Sequence, residues 1–209
     1  LEAYARRIVA KVERFNKEYS AVTFTEPLPE NIRPGNLIAA DEPGPDVHIS
    51  GCRMSGNRAR GLLIGSRGRV IIENNYFHIA GASILFEGDG NFWFEQSGVR
   101  DVTIRNNIFA NGNYGSRGWG SACIAVGSGI SQRQTSRYHR NIQVDGNLFR
   151  VFDPRIVNLY CVDGFQFSAS NRIVRTSDYP ATFDPKLHFV FDQCDHIEIP
   201  RQIEMAEQR

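Results

Sequence analysis

The stretch that decides the fold is VIIENNYF, residues 70–77, because VTIRNNIF repeats its pattern at residues 102–109. The template V-x-I-x-x-N-x-F fits four segments, which begin at residues 47, 70, 102 and 142. A looser copy begins at residue 165, so successive copies start 23, 32, 40 and 23 residues apart. A constant motif at variable spacing indicates one structural unit, repeated with insertions in its loops.

Each copy alternates apolar and polar residues and is rich in branched side chains, which predicts a β-strand. Further strand-like runs follow the first three copies: GLLIG (61–65), ASILF (82–86) and ACIAV (122–126). No segment between the copies has the apolar period of a helix. We therefore predict an all-β chain whose main part is a right-handed parallel β-helix, a solenoid of short strands stacked about 4.8 Å apart.

Stacking predicts that Asn75, Asn107 and Asn147 lie above one another at an inward turn, where their amides can form a ladder. Cys52 occupies the same position in the first copy, and we expect it to be small and buried there. The alternative is a β-sandwich, but nothing in that architecture requires Asn at one fixed phase.

The sequences at the two ends of the chain do not follow the repeat pattern. Residues 1–45 predict a small β-rich element that could be part of a barrel, with ARRIVAKVERF as a helix or long strand and five prolines after it. Residues 46–209 are assigned to the β-helix. Its last part has two strand-like runs, LHFVF (187–191) and HIEI (196–199), and we expect RQIEMAEQR to be a short helix or frayed.

Composition excludes several classes of partner. The 24 basic and 23 acidic residues nearly cancel, so nothing points to nucleic acid. No apolar run reaches the ~20 residues of a membrane span, so membrane insertion is not expected. Four widely spaced cysteines and isolated histidines lack metal-ligand spacing, which predicts buried free thiols, structural or exposed histidines, and no metal or other cofactor.

Two stretches carry groups that suit carbohydrate chemistry: GNRARGLLIGSRGR (56–69) and FEGDGNFWFEQSGVRD (86–101). Glycosides are hydrolysed by two carboxyl groups, one protonated and one ionised. We therefore predict Glu87 and Asp89 as catalytic residues. The residues predicted to contact substrate are Arg58, Arg60, Trp93 and Glu95.

These assignments have structural alternatives. A glycine-flanked turn accounts equally for Glu87 and Asp89. Arg58 and Arg60 could form only surface ion pairs. Asp101 is interpreted as a turn residue at the start of a strand. Three consecutive aromatic residues, 92–94, cannot all point inward, which favours an exposed position for some of them.

The motifs NRARGLL, ENNYF, ILFEGD and VRDVTIRNN, within residues ~20–150, resemble the C-terminal coils of glycoside hydrolase family 110. This resemblance implies an inverting, metal-independent α-1,3-galactosidase that removes terminal α-galactose from glycans, and a secreted or periplasmic location. The resemblance also implies that residues 1–45 are the remnant of a barrel inserted into the β-helix, and that an Asp-Asp pair lies on a coil before this barrel. No Asp-Asp occurs here, so we expect a fragment that carries only part of the active site.

The leading hypothesis is an exo-acting α-1,3-galactosidase-like hydrolase. Two alternatives remain: a carbohydrate-binding β-helix without catalysis, and a polysaccharide lyase or pectin-type hydrolase on the same scaffold, because a fold does not fix a function.

Overall fold

A computed structural model describes residues 5–42, 44–90, 92–95, 98–127, 136–180, 188–203 and 205–207. The chain divides into two compact units, residues 2–42 and residues 43–209. In the described part of the chain, the regular elements are β-strands and one short 3-10 helix, Arg117–Trp119. The prediction of an all-β chain is confirmed.

The first unit contains an antiparallel hairpin of β1 (Val9–Arg14) and β2 (Ser20–Phe24). The Asn16 side chain shapes its turn, because its carbonyl oxygen accepts the backbone N–H groups of Glu18 and Tyr19 at 2.8 and 2.9 Å. The helical reading of ARRIVAKVERF is therefore wrong, and the strand reading is right. After β2, the described residues of this unit form no further strand.

The second unit is a parallel β-helix. Each of the first five coils contributes one strand to each of three parallel sheets, and the described part of the sixth coil contributes to two of them. The first sheet contains β3 (Val47–Ser50), β6 (Val70–Glu73), β9 (Val102–Arg105), β12 (His139–Asp145), β15 (Val162–Phe167) and β18 (Asp195–Glu198). The second contains β4 (Arg53–Ser55), β7 (Tyr76–His78), β10 (Ile108–Ala110), β13 (Leu148–Val151), β16 (Arg172–Arg175) and β19 (Met205–Glu207). The third contains β5 (Arg60–Ile64), β8 (Ala82–Phe86), β11 (Ile124–Val126), β14 (Arg155–Tyr160) and β17 (His188–Asp192).

The strand register confirms the repeat read from the sequence. Residues that begin the template are paired from coil to coil: Val47, Val70, Val102, Ile142 and Phe165. Their side chains point into a continuous core. Three fully buried rings of the second sheet, Phe77, Phe109 and Phe149, stack with centroids 5.2 and 4.7 Å apart.

The predicted asparagine ladder lies at the first corner, between the first and second sheets. The side-chain oxygen of Asn107 accepts both the backbone and the side-chain N–H of Asn75, each at 3.0 Å. In the same way, the side-chain oxygen of Asn147 accepts the backbone and side-chain N–H groups of Asn107 at 2.9 and 3.0 Å. The side-chain oxygen of Asn171 accepts those of Asn147. Each ladder amide also donates to a strand carbonyl one coil back, such as that of Ile72. The ladder thus closes the corner of four coils.

The residue before each ladder position explains the paired asparagines of ENN and RNN. Asn74, Asn106 and Gly146 have φ of 57, 55 and 63°, a left-handed conformation that Asn and Gly tolerate best. Asp101 has φ of 53° directly before β9, and its carboxylate accepts the Asn141 amide at 2.8 Å. Its interpretation as a turn residue is confirmed.

Two expectations about the ends of the solenoid are wrong. Cys52 is exposed, because no described strand pairs with the outer edge of its coil; Cys123 and Cys161 are buried and Cys194 is half-buried. The tail forms β19 rather than a helix, because Met205 pairs with Ile173 of the fifth coil. In the described part of the chain, no helix has the length and apolar character needed to cross a bilayer.

Candidate functional site

Glu87 follows β8 directly, at the third corner, where each coil passes from the third sheet to the first sheet of the next coil. The pairing of Phe86 with Ile64 and Val126 places Gly65 and Gly127 in the coils on either side. A Cβ on Gly127 would lie 3.5 Å from a carboxyl oxygen of Glu87. Glu87 therefore packs against Gly127 of the next coil.

The surroundings of Glu87 favour its protonated form. Burial of the half-exposed side chain raises the pKa of its carboxyl above the usual 4.5. The positive charge of Arg60 opposes this shift, and the negative charges of Asp89 and Glu95 add to it. A carboxyl group with a raised pKa beside other acidic side chains is the arrangement from which a general acid is built.

Asp89 organises the loop that follows Glu87. Its backbone N–H donates to the Glu95 carbonyl at 3.0 Å, and its carboxylate accepts the backbone N–H groups of Phe92 and Trp93, the latter at 2.7 Å. These bonds tie residues 92–95 back to Asp89. They give Asp89 a structural role, and its catalytic assignment stays a prediction.

The same loop presents three aromatic side chains to solvent. Phe92, Trp93 and Phe94 are 73, 71 and 66% exposed, and the first two pack edge to face with centroids 4.9 Å apart. The expectation that they cannot all point inward agrees with this arrangement. An exposed aromatic surface beside a carboxyl group suits the C–H face of a sugar ring.

The two arginines of NRARG contact different neighbours. Arg60 opens β5 and pairs with Ala82, and its charge acts on Glu87. Arg58 lies two residues earlier, at the second corner, between the second and third sheets. Its guanidinium lies over the Trp119 ring, 5.4 Å from the centroid. Of the residues predicted from the sequence, Glu87, Asp89, Trp93 and Glu95 therefore belong to the third corner. Arg60 begins its strand at the end nearer the second corner, and only its charge is shown to act on Glu87. Arg58 lies at the second corner itself.

The second corner also holds an aromatic cluster that sequence reasoning missed. The His78 ring lies 4.7 Å from Tyr114 and 6.3 Å from Tyr179, and the two tyrosines lie 5.6 Å apart, all with nearly parallel planes. Tyr114 and Tyr179 come from insertions in the third and fifth coils. The one signal in the sequence was the spacing of 40 residues between two copies of the repeat.

His139 is fully buried beside the third corner. One ring nitrogen, Nε2, donates to the Gly127 carbonyl at 2.6 Å, while Nδ1 has no partner among the described residues. Burial lowers the pKa of the imidazole from 6.5 to about 4, so the ring is neutral at physiological pH. His139 therefore fixes the backbone against which Glu87 packs, in agreement with the structural role expected from the sequence. Among the described residues, no group of three or more His, Cys, Asp or Glu side chains is placed to hold a metal ion.

Comparison with known proteins gives matches over most of the chain. A family model described as GLAA-B beta-barrel domain II matches residues 1–38. The chain is 38% identical over 181 residues to alpha-1,3-galactosidase A of Shewanella woodyi, which is 86% of this chain and 29% of that protein. It is 36% identical over 191 residues to alpha-1,3-galactosidase B of Bacteroides thetaiotaomicron, 90% of this chain and 31% of that protein.

A third relative, alpha-1,3-galactosidase B of Akkermansia muciniphila, is 29% identical over 202 residues, 95% of this chain and 25% of that protein. The chain thus spans between a quarter and a third of the length of these curated relatives. The resemblance to the α-1,3-galactosidases that the sequence motifs indicated is confirmed.

Proposed function

We propose, from the homology of this chain to part of the α-1,3-galactosidases, that it forms part of an exo-acting glycoside hydrolase that removes terminal α-1,3-linked galactose with inversion. The observation that carries this proposal is the third corner. There, burial raises the pKa of the Glu87 carboxyl beside Asp89, Glu95 and exposed aromatic rings. No metal or other cofactor is part of the proposed chemistry.

Glu87 is the proposed general acid. In an inverting reaction, a protonated carboxyl group donates its proton to the glycosidic oxygen as the C–O bond breaks, and a carboxylate takes a proton from the water that attacks the opposite face of the sugar. Inverting pairs are about 6.5–9.5 Å apart to leave room for that water. Within this chain, Glu95 is the first candidate for the base, because its carboxylate is exposed and its charge acts on Glu87.

Two further side chains, one at this corner and one whose charge acts on Glu87, would bind the sugar. Trp93 offers an exposed ring face for stacking, and Arg60 can donate hydrogen bonds to hydroxyl groups of the substrate. The curated relatives are about three times longer than the segment shared with this chain. A base carried by the rest of such a protein is therefore the alternative to Glu95. By family resemblance we also propose a secreted or periplasmic location, which cell fractionation would test.

The test is hydrolysis of an α-1,3-linked galactoside followed by proton NMR, which shows whether the first product formed is the β-anomer of galactose. Replacing Glu87→Gln should lower turnover by about 10²- to 10⁴-fold, the usual contribution of a general acid. Glu198→Gln, an exposed carboxyl-to-amide change on β18, is the matched control and should retain turnover. Wild-type turnover in folded Glu87→Gln would remove this residue from the mechanism.

A carbohydrate-binding function without catalysis is the second candidate. It is favoured by the structural use of Asp89 and by the exposure of the three aromatic rings. Saturable galactoside binding with no hydrolysis, by the protein in which Glu87 is intact, would support it. Cleavage of uronate polymers in place of galactosides would instead support a lyase or pectin-type hydrolase.

A further inference from the structure

The second corner departs from the plain solenoid in two coils. In the second and fourth coils it takes only residues 79–81 and 152–154, between the strands on either side. In the third coil it takes residues 111–123, and in the fifth coil it begins at residue 176 and includes at least the described residues 176–180. Insertions in repeat proteins gather on the face that binds a ligand. Both insertions add buried residues, such as Cys123 and Thr176, and they also carry half-buried aromatic rings that the shorter corners lack.

Both insertions reach back toward earlier coils. Tyr114, from the third coil, stacks on His78 of the second coil, and Trp119 lies against Arg58 of the first coil. Tyr179, from the fifth coil, comes within 3.4 Å of the His78 ring through its hydroxyl group. Side chains from four coils thus converge on one edge.

Buried polar bonds hold this convergence in place. The side-chain oxygen of Asn111, which is buried, accepts the Thr176 hydroxyl at 2.6 Å and the Phe152 backbone N–H at 3.1 Å. Its amide donates to the Asp178 carboxylate at 2.7 Å. One asparagine of the third coil therefore fastens the insertion of the fifth coil, and the aromatic rings are positioned before any ligand arrives.

We propose that this corner is a second, non-catalytic carbohydrate site, which takes a pyranose unit of a neutral glycan. The choice of a glycan as the ligand rests on the proposed function. Tyr114, Tyr179 and Trp119 are half-buried, so each ring keeps some exposed surface. Half-buried tyrosine and tryptophan rings combine an apolar face with a polar edge, which matches the C–H face and hydroxyl groups of a sugar.

The charges at this corner favour a neutral sugar over an anionic one. Arg58 is exposed, and its one recorded contact among the described residues is the Trp119 ring, so its N–H groups can donate to hydroxyls. The exposed Asp178 carboxylate supplies an acceptor and would repel an anion. The five residues of β8 separate this corner from Glu87 by roughly 16 Å at 3.3 Å per residue. A ligand unit bound here would therefore lie away from the proposed reaction centre.

The chain offers a clean test, because its two tryptophans, Trp93 and Trp119, lie one at each corner. In a Trp93→Phe variant, Trp119 is the sole tryptophan and its fluorescence reports the second corner. Titration with neutral oligosaccharides that end in α-1,3-linked galactose should change its emission in a saturable way, with a dissociation constant on the order of 1 mM. Adding Glu87→Gln should leave this response unchanged.

Variants at the corner separate binding from structure. Arg58→Ala, in the Trp93→Phe background, should weaken binding about 5- to 10-fold, and Tyr114→Ala should abolish the response. Arg172→Ala, an exposed arginine on β16, is the matched control and should bind normally. Variants that keep the thermal midpoint of the parent show that a loss is not unfolding.

The outcomes also separate this proposal from the catalytic one. A flat Trp119 signal in the folded protein, or a response that survives both Arg58→Ala and Tyr114→Ala, would overturn the second site. The Trp119→Phe variant reports the third corner through Trp93. A response of Trp119 with none from Trp93 and no hydrolysis would support this site while contradicting the proposed catalytic one.

Discussion

Removing one rung of the asparagine ladder should destabilise the β-helix strongly. In Asn107→Ala, the buried backbone N–H of Asn75 loses its acceptor at 3.0 Å, and the Ile72 carbonyl loses a donor at 2.9 Å. Each buried polar group left without a partner costs about 1–3 kcal/mol. We therefore expect a loss of about 2–6 kcal/mol, a large part of the ~5–15 kcal/mol that stabilises a typical domain.

The assay is urea denaturation followed by far-ultraviolet circular dichroism, with the free energy of unfolding extrapolated to water. Asn158→Ala is the matched control, because Asn158 lies on β14 outside the ladder, and it should change stability by no more than about 0.5 kcal/mol. A loss below about 1 kcal/mol in Asn107→Ala would refute the view that the ladder satisfies buried groups.

Three further predictions concern the core and its corners. As the pH falls from 6.5 toward 4, His139 should lower the free energy of unfolding, because the unfolded ring takes up a proton near 6.5 and the buried ring only near 4. His139→Gln should flatten this pH dependence, and a parallel pH profile would contradict it. Gly81→Ala should lower the thermal midpoint and shift Trp119 emission, because the added Cβ overlaps the carbonyl oxygens of Ala59 and Trp119; an unchanged midpoint would count against this packing. Phe109→Ala should cost about 3–5 kcal/mol in the same urea assay, because the ring is fully buried between two stacked rings, and a cost below 1 kcal/mol would contradict that stacking.

The regular part of the fold could be predicted because each coil repeats the same sequence pattern. The template positions of Val70 and Asn75 recur as paired positions in the structure. The wrong predictions concern residues whose structure depends on a neighbouring coil and not on the local sequence. Met205 sits in a helix-forming segment, yet it forms a strand because it pairs with Ile173. Cys52 is exposed because no described strand covers its coil.

The candidate site was predictable only in part. The run from Glu87 to Glu95 is local in sequence, so its carboxylates and aromatic rings stay together whatever the exact turn. Arg58 and Arg60 are also close in sequence, but β5 begins at Arg60, so the two side chains have different neighbours. The stacking of His78 on Tyr114 and Tyr179 depends on long insertions, whose path no repeat pattern specifies.

The functional account depends most on the protonation of Glu87, and a carbon-13 NMR titration of its side-chain carboxyl measures this directly. The resonance can be assigned by its absence from the spectrum of Glu87→Gln. The account predicts a midpoint above 4.5, since burial and the nearby carboxylates disfavour the charged form. A midpoint at or below 4.5 would mean that Glu87 is ionised like an ordinary surface carboxylate, which would contradict its role as the proton donor.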